Sequence, residues 1–278
     1  MPPGRWIESL AEHERLLVLT ALCAVILGSW LYLLAGSGTG MSTWAMTSWS
    51  MAIGSPQALS MAIATPVSWT FSYALTMFGM WWVMMIAMML PSAAPVILLY
   101  AKVNAGTLKA SGTTYSDLPV AAFVTGYLLI WGVFSGCATV LQWLFESFGF
   151  LSPAMMSTSS AVFAGIVLIY AGVYQVSPLK RACLKHCQGP LAFISHHWRS
   201  GADGALRMGL QHGIYCLGCC LGLMAILFFG GIMNLYWIGG LALLVLLEKV
   251  LPYGSKLALV TGPALIVWGA TFLARAAS

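Results

Sequence analysis

The sequence predicts an all-α protein, a polytopic bundle of about seven transmembrane helices with its amino terminus in the cytoplasm. The chain has 278 residues, of which 60% are hydrophobic and only 7% are charged, whereas about 25% of the residues in a soluble domain are charged. The apolar residues form long runs separated by short polar segments. No polar stretch is long enough to fold as a soluble domain. We therefore predict a single membrane domain whose main partner is the lipid bilayer.

The apolar runs match the length that a hydrocarbon core of about 30 Å requires, or come close to it. The predicted spans are residues 16–35, 78–101, 119–141, 161–176, 204–229, 235–251 and 257–274. A short cytoplasmic helix is predicted over 178–188, because Ser177-Pro178 is typical of a helix start and Gly189-Pro190 of a helix stop.

Three finer features follow from single residues. Residues 142–160 are predicted to form a loop whose one charge is Glu146, and Asp203 is predicted to cap the fifth span. Pro91 and Pro95 are expected to bend the second span, since each removes a backbone donor.

The basic residues decide the orientation. With the amino terminus inside, every Lys and Arg except Arg275 faces the cytoplasm, which is the side that positive charge prefers. This topology also accounts for the net charge of +5. A nucleic-acid partner is therefore not predicted.

The fifth span carries a stripe of metal-ligand side chains. His212, Cys216, Cys219 and Cys220 fall within an arc of about 100° on a helix. The short helix before it places Cys183 and Cys187 four residues apart on one face. Thiols on the cytoplasmic side are kept reduced, which favours metal binding or transient redox chemistry over a structural disulfide.

These residues predict a site for one thiophilic ion per chain, copper(I) or zinc. Its candidate ligands are Cys183, Cys187, His212, Cys216, Cys219 and Cys220. The alternative is that the cysteines pack as small hydrophobic side chains and the histidine bonds to a neighbour.

Methionines form a second pattern. Met84 and Met88 belong to one face of the second span, together with Met77 and Met80. Further methionines are predicted in outer loops, among them Met41, Met46, Met51, Met61 and Met155. Because thioethers are soft ligands for copper(I), Met84 and Met88 are candidate relay points on an inward path for that ion. The alternative is that they fill the core.

Three ionisable residues lie at span ends. Glu248 and Lys249 end the sixth span, and the acid is expected to pair with Lys249 or with Lys180. Such groups are costly in a membrane and are often functional. The alternative is a simple boundary pair.

Five segments of the chain form a distinctive combination: MMIAMMLPSAAP, YQVSPLKRACLKHC, HGIYCLGCCLGLM, GGIMN and LLEKVLPYG. Together they resemble an uncharacterised bacterial family of predicted metal-binding integral membrane proteins, and the resemblance covers about residues 75–255. It implies a multi-pass protein of the bacterial inner membrane. The residues it carries over are Lys180, Cys183, Cys187, His212, Cys216, Cys219, Cys220, Glu248 and Lys249.

Three functions stay open from the sequence. The first is a protein that binds copper(I) or zinc for transport or delivery, with a soluble metal partner. The second is a membrane thiol-disulfide oxidoreductase, in which the Cys219-Cys220 pair and Cys183 with Cys187 exchange electrons with a membrane or soluble redox partner. The third is a non-catalytic membrane subunit with a structural metal. Whether the protein is an enzyme is therefore not decided.

Overall fold

The computed structural model describes residues 3–37, 47, 68–110, 117–152, 156–158 and 160–277. Nine helices and one two-stranded antiparallel pair make up the secondary structure of this described part, so the predicted all-α class is confirmed. The elements in chain order are α1 (Pro3–Leu34), α2 (Phe71–Ala110), α3 (Leu118–Ser147), β1 (Leu151–Ser152), β2 (Ser157–Thr158), α4 (Ala161–Val176), α5 (Pro178–Gln188), α6 (Pro190–His197), α7 (Gly201–Gly230), α8 (Leu235–Val250) and α9 (Gly254–Ala277). The predicted outer-loop residues Met41, Met46, Met51, Met61 and Met155 lie outside the described residues.

Five of these helices are long and apolar enough to cross a membrane. They are α2, α3, α7, α9 and, within α1, the stretch Leu16–Leu34. Helices α4 and α5 qualify only as a pair, joined at a bend of 61°. Helix α8 has 16 residues, or about 24 Å of rise, which is less than the hydrocarbon core of about 30 Å. Length and composition thus support five or six crossings within the described residues, and the seventh stays a prediction.

The predicted short helix after the fourth span is confirmed as α5. The Ser177 side chain accepts a hydrogen bond from the backbone N–H of Lys180, which satisfies one of the unpaired donors at a helix start. Gly189 follows the last residue of α5, and Pro190 begins α6. The sequence therefore set both ends of this helix through local backbone chemistry.

Two finer predictions are wrong. The loop predicted from residue 142 begins later, because α3 continues to Ser147. Gln142 Nε2 donates to Glu146 Oε1 at 2.9 Å, and Trp69 Nε1 donates to Glu146 Oε2 at 2.9 Å. The Glu146 carboxylate therefore has hydrogen-bond partners while its backbone stays helical. The cap predicted at Asp203 is also wrong, since α7 is preceded by Ser200 and Asp203 lies in its first turn.

Helix α2 continues through Pro91 and Pro95 without ending. Tolerance of proline inside an apolar helix is typical of membrane helices, where neighbouring groups satisfy the freed backbone carbonyls. Whether the two prolines bend the helix stays a prediction.

Glycine brings α3 and α7 into direct backbone contact. A Cβ atom added at Gly209 would strike the carbonyl group of Phe123, and one added at Gly126 would strike that of Leu206. Small residues at helix contacts allow this approach in membrane bundles. The contact places the first third of α3 beside the part of α7 that precedes the cysteine stripe.

Candidate metal site

Two buried thiols from different helices meet between α5 and α7. Cys187 Sγ lies 3.8 Å from Cys219 Sγ, and both residues are buried and free of disulfide bonds. The Cys219 thiol donates to the Cys187 sulfur. The two sulfur atoms are therefore close enough to bind one thiophilic ion together.

The third thiol, Cys216, contacts polar side chains from two other helices. Lys249 Nζ on α8 donates to Cys216 Sγ at 2.8 Å and to Ser92 Oγ at 3.0 Å. The hydroxyl of Tyr127 on α3 lies 3.1 Å from the same sulfur. Tyr127 donates its single proton to the backbone carbonyl of Met89 at 3.0 Å, so its oxygen accepts the Cys216 S–H. Cys216 is thus a hydrogen-bonded thiol beside a lysine.

The fourth thiol, Cys220, faces α2. Its Sγ atom lies 3.9 Å from the Met89 Sδ atom and 2.8 Å from the backbone carbonyl oxygen of Cys216. Met89 therefore adds a thioether beside the thiols, and both sulfur types are soft donors of the kind that copper(I) prefers.

The two remaining predicted ligands lie at the edge of this cluster. Cys183 is half-buried against α7, where a Cβ atom added at Gly218 would lie 2.7 Å from its Sγ. His212 is buried, with its ring centroid 5.1 Å from that of Phe193 and 5.8 Å from that of Tyr127. Its Nδ1 atom has no hydrogen-bond partner among the described residues.

The six predicted ligands do not form one preassembled site. Among the described residues, no three His, Cys, Asp or Glu side chains are arranged to hold a metal ion together. A structural zinc site needs four such ligands at fixed distances. The arrangement instead offers a pair of thiols, Cys187 and Cys219, with further soft donors nearby.

Glu248 and Lys249 belong to two separate networks, so the reading of these neighbours as a boundary pair is wrong. Glu248 Oε2 accepts from Lys180 Nζ at 2.6 Å, and both side chains are buried. Gln175 Nε2 donates to Glu248 Oε1 at 2.7 Å and Gln175 Oε1 accepts a second bond from Lys180. Lys249 points the other way, toward Cys216. The ion pair links α5, which carries Cys187, to α8, which carries Lys249.

The predicted relay residues are buried in the core, with Met84 0% and Met88 1% exposed. The methionine that contacts a thiol is Met89, which lies beside Cys220. The sequence analysis did not identify Met89, Ser92 or Tyr127 as site residues. A signal was available, because Met89 and Ser92 lie on one face of α2 at a spacing of three. A serine and a tyrosine inside apolar spans also need polar partners.

A cavity of about 620 Å³ lies elsewhere, between α7, α8 and α9. Its walls are largely aromatic and apolar and include Phe229, Trp237 and Trp268. None of the cysteines lines it. The candidate metal ligands therefore lie apart from this cavity.

Comparison with known proteins identifies the family. Residues 78–272 match the PpoB2 family, which is described as a copper chaperone. The chain belongs to this copper chaperone family. The matched range contains every candidate site residue from Met84 to Lys249. No curated protein and no solved structure matches the chain.

Membership in the copper chaperone family confirms the predicted connection with a metal. Of the two predicted metals it supports copper, and nothing supports zinc. The donors brought together here, thiols and a thioether, fit copper(I) as cargo because they are soft.

Proposed function

We propose that this member of the copper chaperone family is an integral membrane protein that holds one copper(I) ion between Cys187 and Cys219. It then delivers the ion to a soluble partner. The observation that carries the proposal is the distance of 3.8 Å between the two buried Sγ atoms, within the range matched by the copper chaperone family.

The ligand set favours copper(I) as the cargo. Copper(I) is stable with fewer ligands than zinc and prefers soft sulfur donors. The described residues offer two facing thiols, a third thiol one turn away and the Met89 thioether. A closed zinc site would need four ligands around one point, and the described residues hold no such group.

The surface supports placement in a membrane. Large apolar side chains are exposed on several helices, among them Leu31, Val133, Ile166, Val260 and Val267. A soluble protein rarely exposes so much apolar surface, whereas lipid tails would cover it at no cost. We propose a bacterial inner membrane, with the amino terminus in the cytoplasm as the basic residues predict.

We place the copper-binding thiols deeper than the cytoplasmic-side position predicted from the sequence. Cys216 lies fifteen residues after Gly201, or about 23 Å along a helix of about 45 Å, because α7 has 30 residues. The thiol of Cys187 reaches this depth from α5, after the bend of 61° that follows α4. Broken helices at mid-membrane depth are typical of ion sites in transporters.

The first prediction concerns the metal content. Protein purified from membranes without added metal is expected to contain about one equivalent of copper and little zinc, because the facing thiols suit the softer ion. Elemental analysis measures both metals, and a free-thiol count on the same sample reports the state of the cysteines.

Two results would contradict the metal proposal. Zinc retained in stoichiometric amount would mean that the ligands rearrange into a closed site. Absence of metal together with an oxidised Cys187 and Cys219 pair would favour the oxidoreductase. The distance between these two sulfur atoms is the observation that keeps that alternative open.

The second prediction concerns the path by which copper reaches the thiols. Replacing Met84, Met88 and Met89 together by leucine keeps volume and apolarity nearly constant. The variant is expected to retain copper but to slow copper entry in sealed vesicles by about tenfold, because an ion cannot cross apolar core without exchanging ligands. Copper uptake into vesicles that contain the purified protein measures the effect.

Met208→Leu is the matched control for the relay experiment. Met208 is as buried as the relay residues, at 1% exposure, but lies on α7 before the cysteine stripe. Uptake in this control is expected to equal that of the unmodified protein. If uptake in the triple variant also equals that of the unmodified protein, the reason to propose transport is removed. The protein would then bind copper without transporting it.

A further inference from the structure

We infer that Lys249 is the residue that selects copper(I) over divalent ions, because its ammonium group is a fixed counter-charge for a copper dithiolate. This inference rests on the proposed function and adds a role for a residue that holds no metal itself. It starts from the contact of 2.8 Å between Lys249 Nζ and Cys216 Sγ.

Among the residues that the structure describes, Lys249 contacts no carboxylate. Its hydrogen bonds go to the hydroxyl of Ser92 and to the sulfur of Cys216, while the neighbouring carboxylate of Glu248 is taken by Lys180. Lys249 is 7% exposed. A buried charge is stable when an opposite charge is near it, so this ammonium group favours an anion in the cysteine cluster.

The charge of the loaded site identifies that anion. When copper(I) binds, Cys187 and Cys219 each release a proton to solvent, and the two thiolates with one monovalent ion carry one net negative charge. The ammonium of Lys249 contacts Cys216, whose backbone carbonyl accepts a hydrogen bond from Cys219 Sγ. Its charge brings the total to zero. Cys216 donates its S–H to Tyr127 and adds no charge.

A divalent ion on the same two thiolates gives a different balance. The dithiolate with zinc is neutral, so the ammonium of Lys249 is left as an uncompensated positive charge in a buried site. Zinc binding therefore gains no attraction from Lys249. Copper(I) binding does gain it, because the ammonium and the negatively charged dithiolate attract strongly where water is excluded. Lys249 thus makes the site discriminate between copper(I) and zinc, both of which the two thiols alone would bind.

Lys249→Gln tests the inference, because glutamine keeps a polar side chain beside Ser92 and removes the charge. Copper(I) and zinc affinities are measured in detergent by competition with a chromophoric chelator for each ion. We expect the variant to lose copper(I) affinity by about tenfold to a hundredfold, the range typical of removing a group that contacts the metal ligands but not the metal. Its zinc affinity is expected to stay the same or to rise.

Lys249→Arg is the matched control, since it keeps the charge, and its preference for copper(I) is expected to stay within about threefold of the unmodified protein. Should Lys249→Gln fail to fold, Ser92→Asp gives the same test by pairing Lys249 with a permanent carboxylate. The same selective loss of copper(I) affinity is expected.

The possible results distinguish a failure of the inference about Lys249 from a failure of the proposed copper-binding function. If the unmodified protein binds no copper(I), the proposed function fails. If it binds copper(I) and Lys249→Gln weakens both ions equally, or neither, the inference about Lys249 is overturned while the copper site stands.

Discussion

Cys219→Ser is expected to weaken copper(I) binding more than about a hundredfold, beyond the loss typical of an outer-shell partner. Cys219 Sγ faces Cys187 Sγ at 3.8 Å, and a serine hydroxyl is a hard donor that copper(I) does not favour. Cys187→Ser is expected to cause the same loss. A competition titration of each purified variant against a copper(I) chelator measures it.

The double variant and a distant cysteine provide the controls. Removing Cys187 and Cys219 together should weaken binding little more than either single change, because residues that act as one unit are not additive. Cys137→Ser should leave binding unchanged, since Cys137 is exposed on α3, away from the cluster. Copper(I) affinity that survives both single changes would show that other ligands hold the ion.

Glu248→Gln is expected to destabilise the protein by about 3–5 kcal/mol, because it leaves the buried ammonium of Lys180 without its counter-charge. Lys180 is 0% exposed and Glu248 is 2% exposed, so water cannot replace the lost carboxylate. The apparent melting temperature in detergent measures the change. Copper retention should fall as well, since this ion pair holds α5 and its Cys187 against the bundle.

A second substitution separates the charge from the packing. Lys180→Met added to Glu248→Gln should recover much of the lost stability, because the double variant contains no unpaired charge. Lys185→Met on the same helix is the control, and as an exposed side chain it should change the melting temperature little. A double variant as unstable as Glu248→Gln would mean that hydrogen bonds to Gln175, not charge, hold the helices.

Local chemistry made some elements predictable from the sequence. The start of α5 follows from a serine side chain that caps its own helix and a proline at the first helical position. The fourth predicted span, 161–176, has the bounds of α4. These features depend on residues that are near one another in the chain.

The number of crossings was less predictable. A hydropathy pattern shows where apolar residues lie, but not whether a run of 16 residues such as α8 is a full span. Ser177-Pro178 sets the position of the break between α4 and α5 locally, whereas its angle of 61° is not encoded by any local pattern. The positions of the helices are therefore predictable from the sequence, whereas the number of helices that cross a membrane is not.

The sequence by itself determined an all-α chain and the residues that could supply soft metal ligands, because helix periodicity places side chains on one face without reference to any partner. Only the tertiary structure decided how those residues are grouped. It pairs Cys187 with Cys219, replaces Met88 by Met89 as the thioether beside a thiol, and turns Glu248 and Lys249 in opposite directions. Such choices depend on side chains from other helices, which sequence spacing within one helix cannot specify.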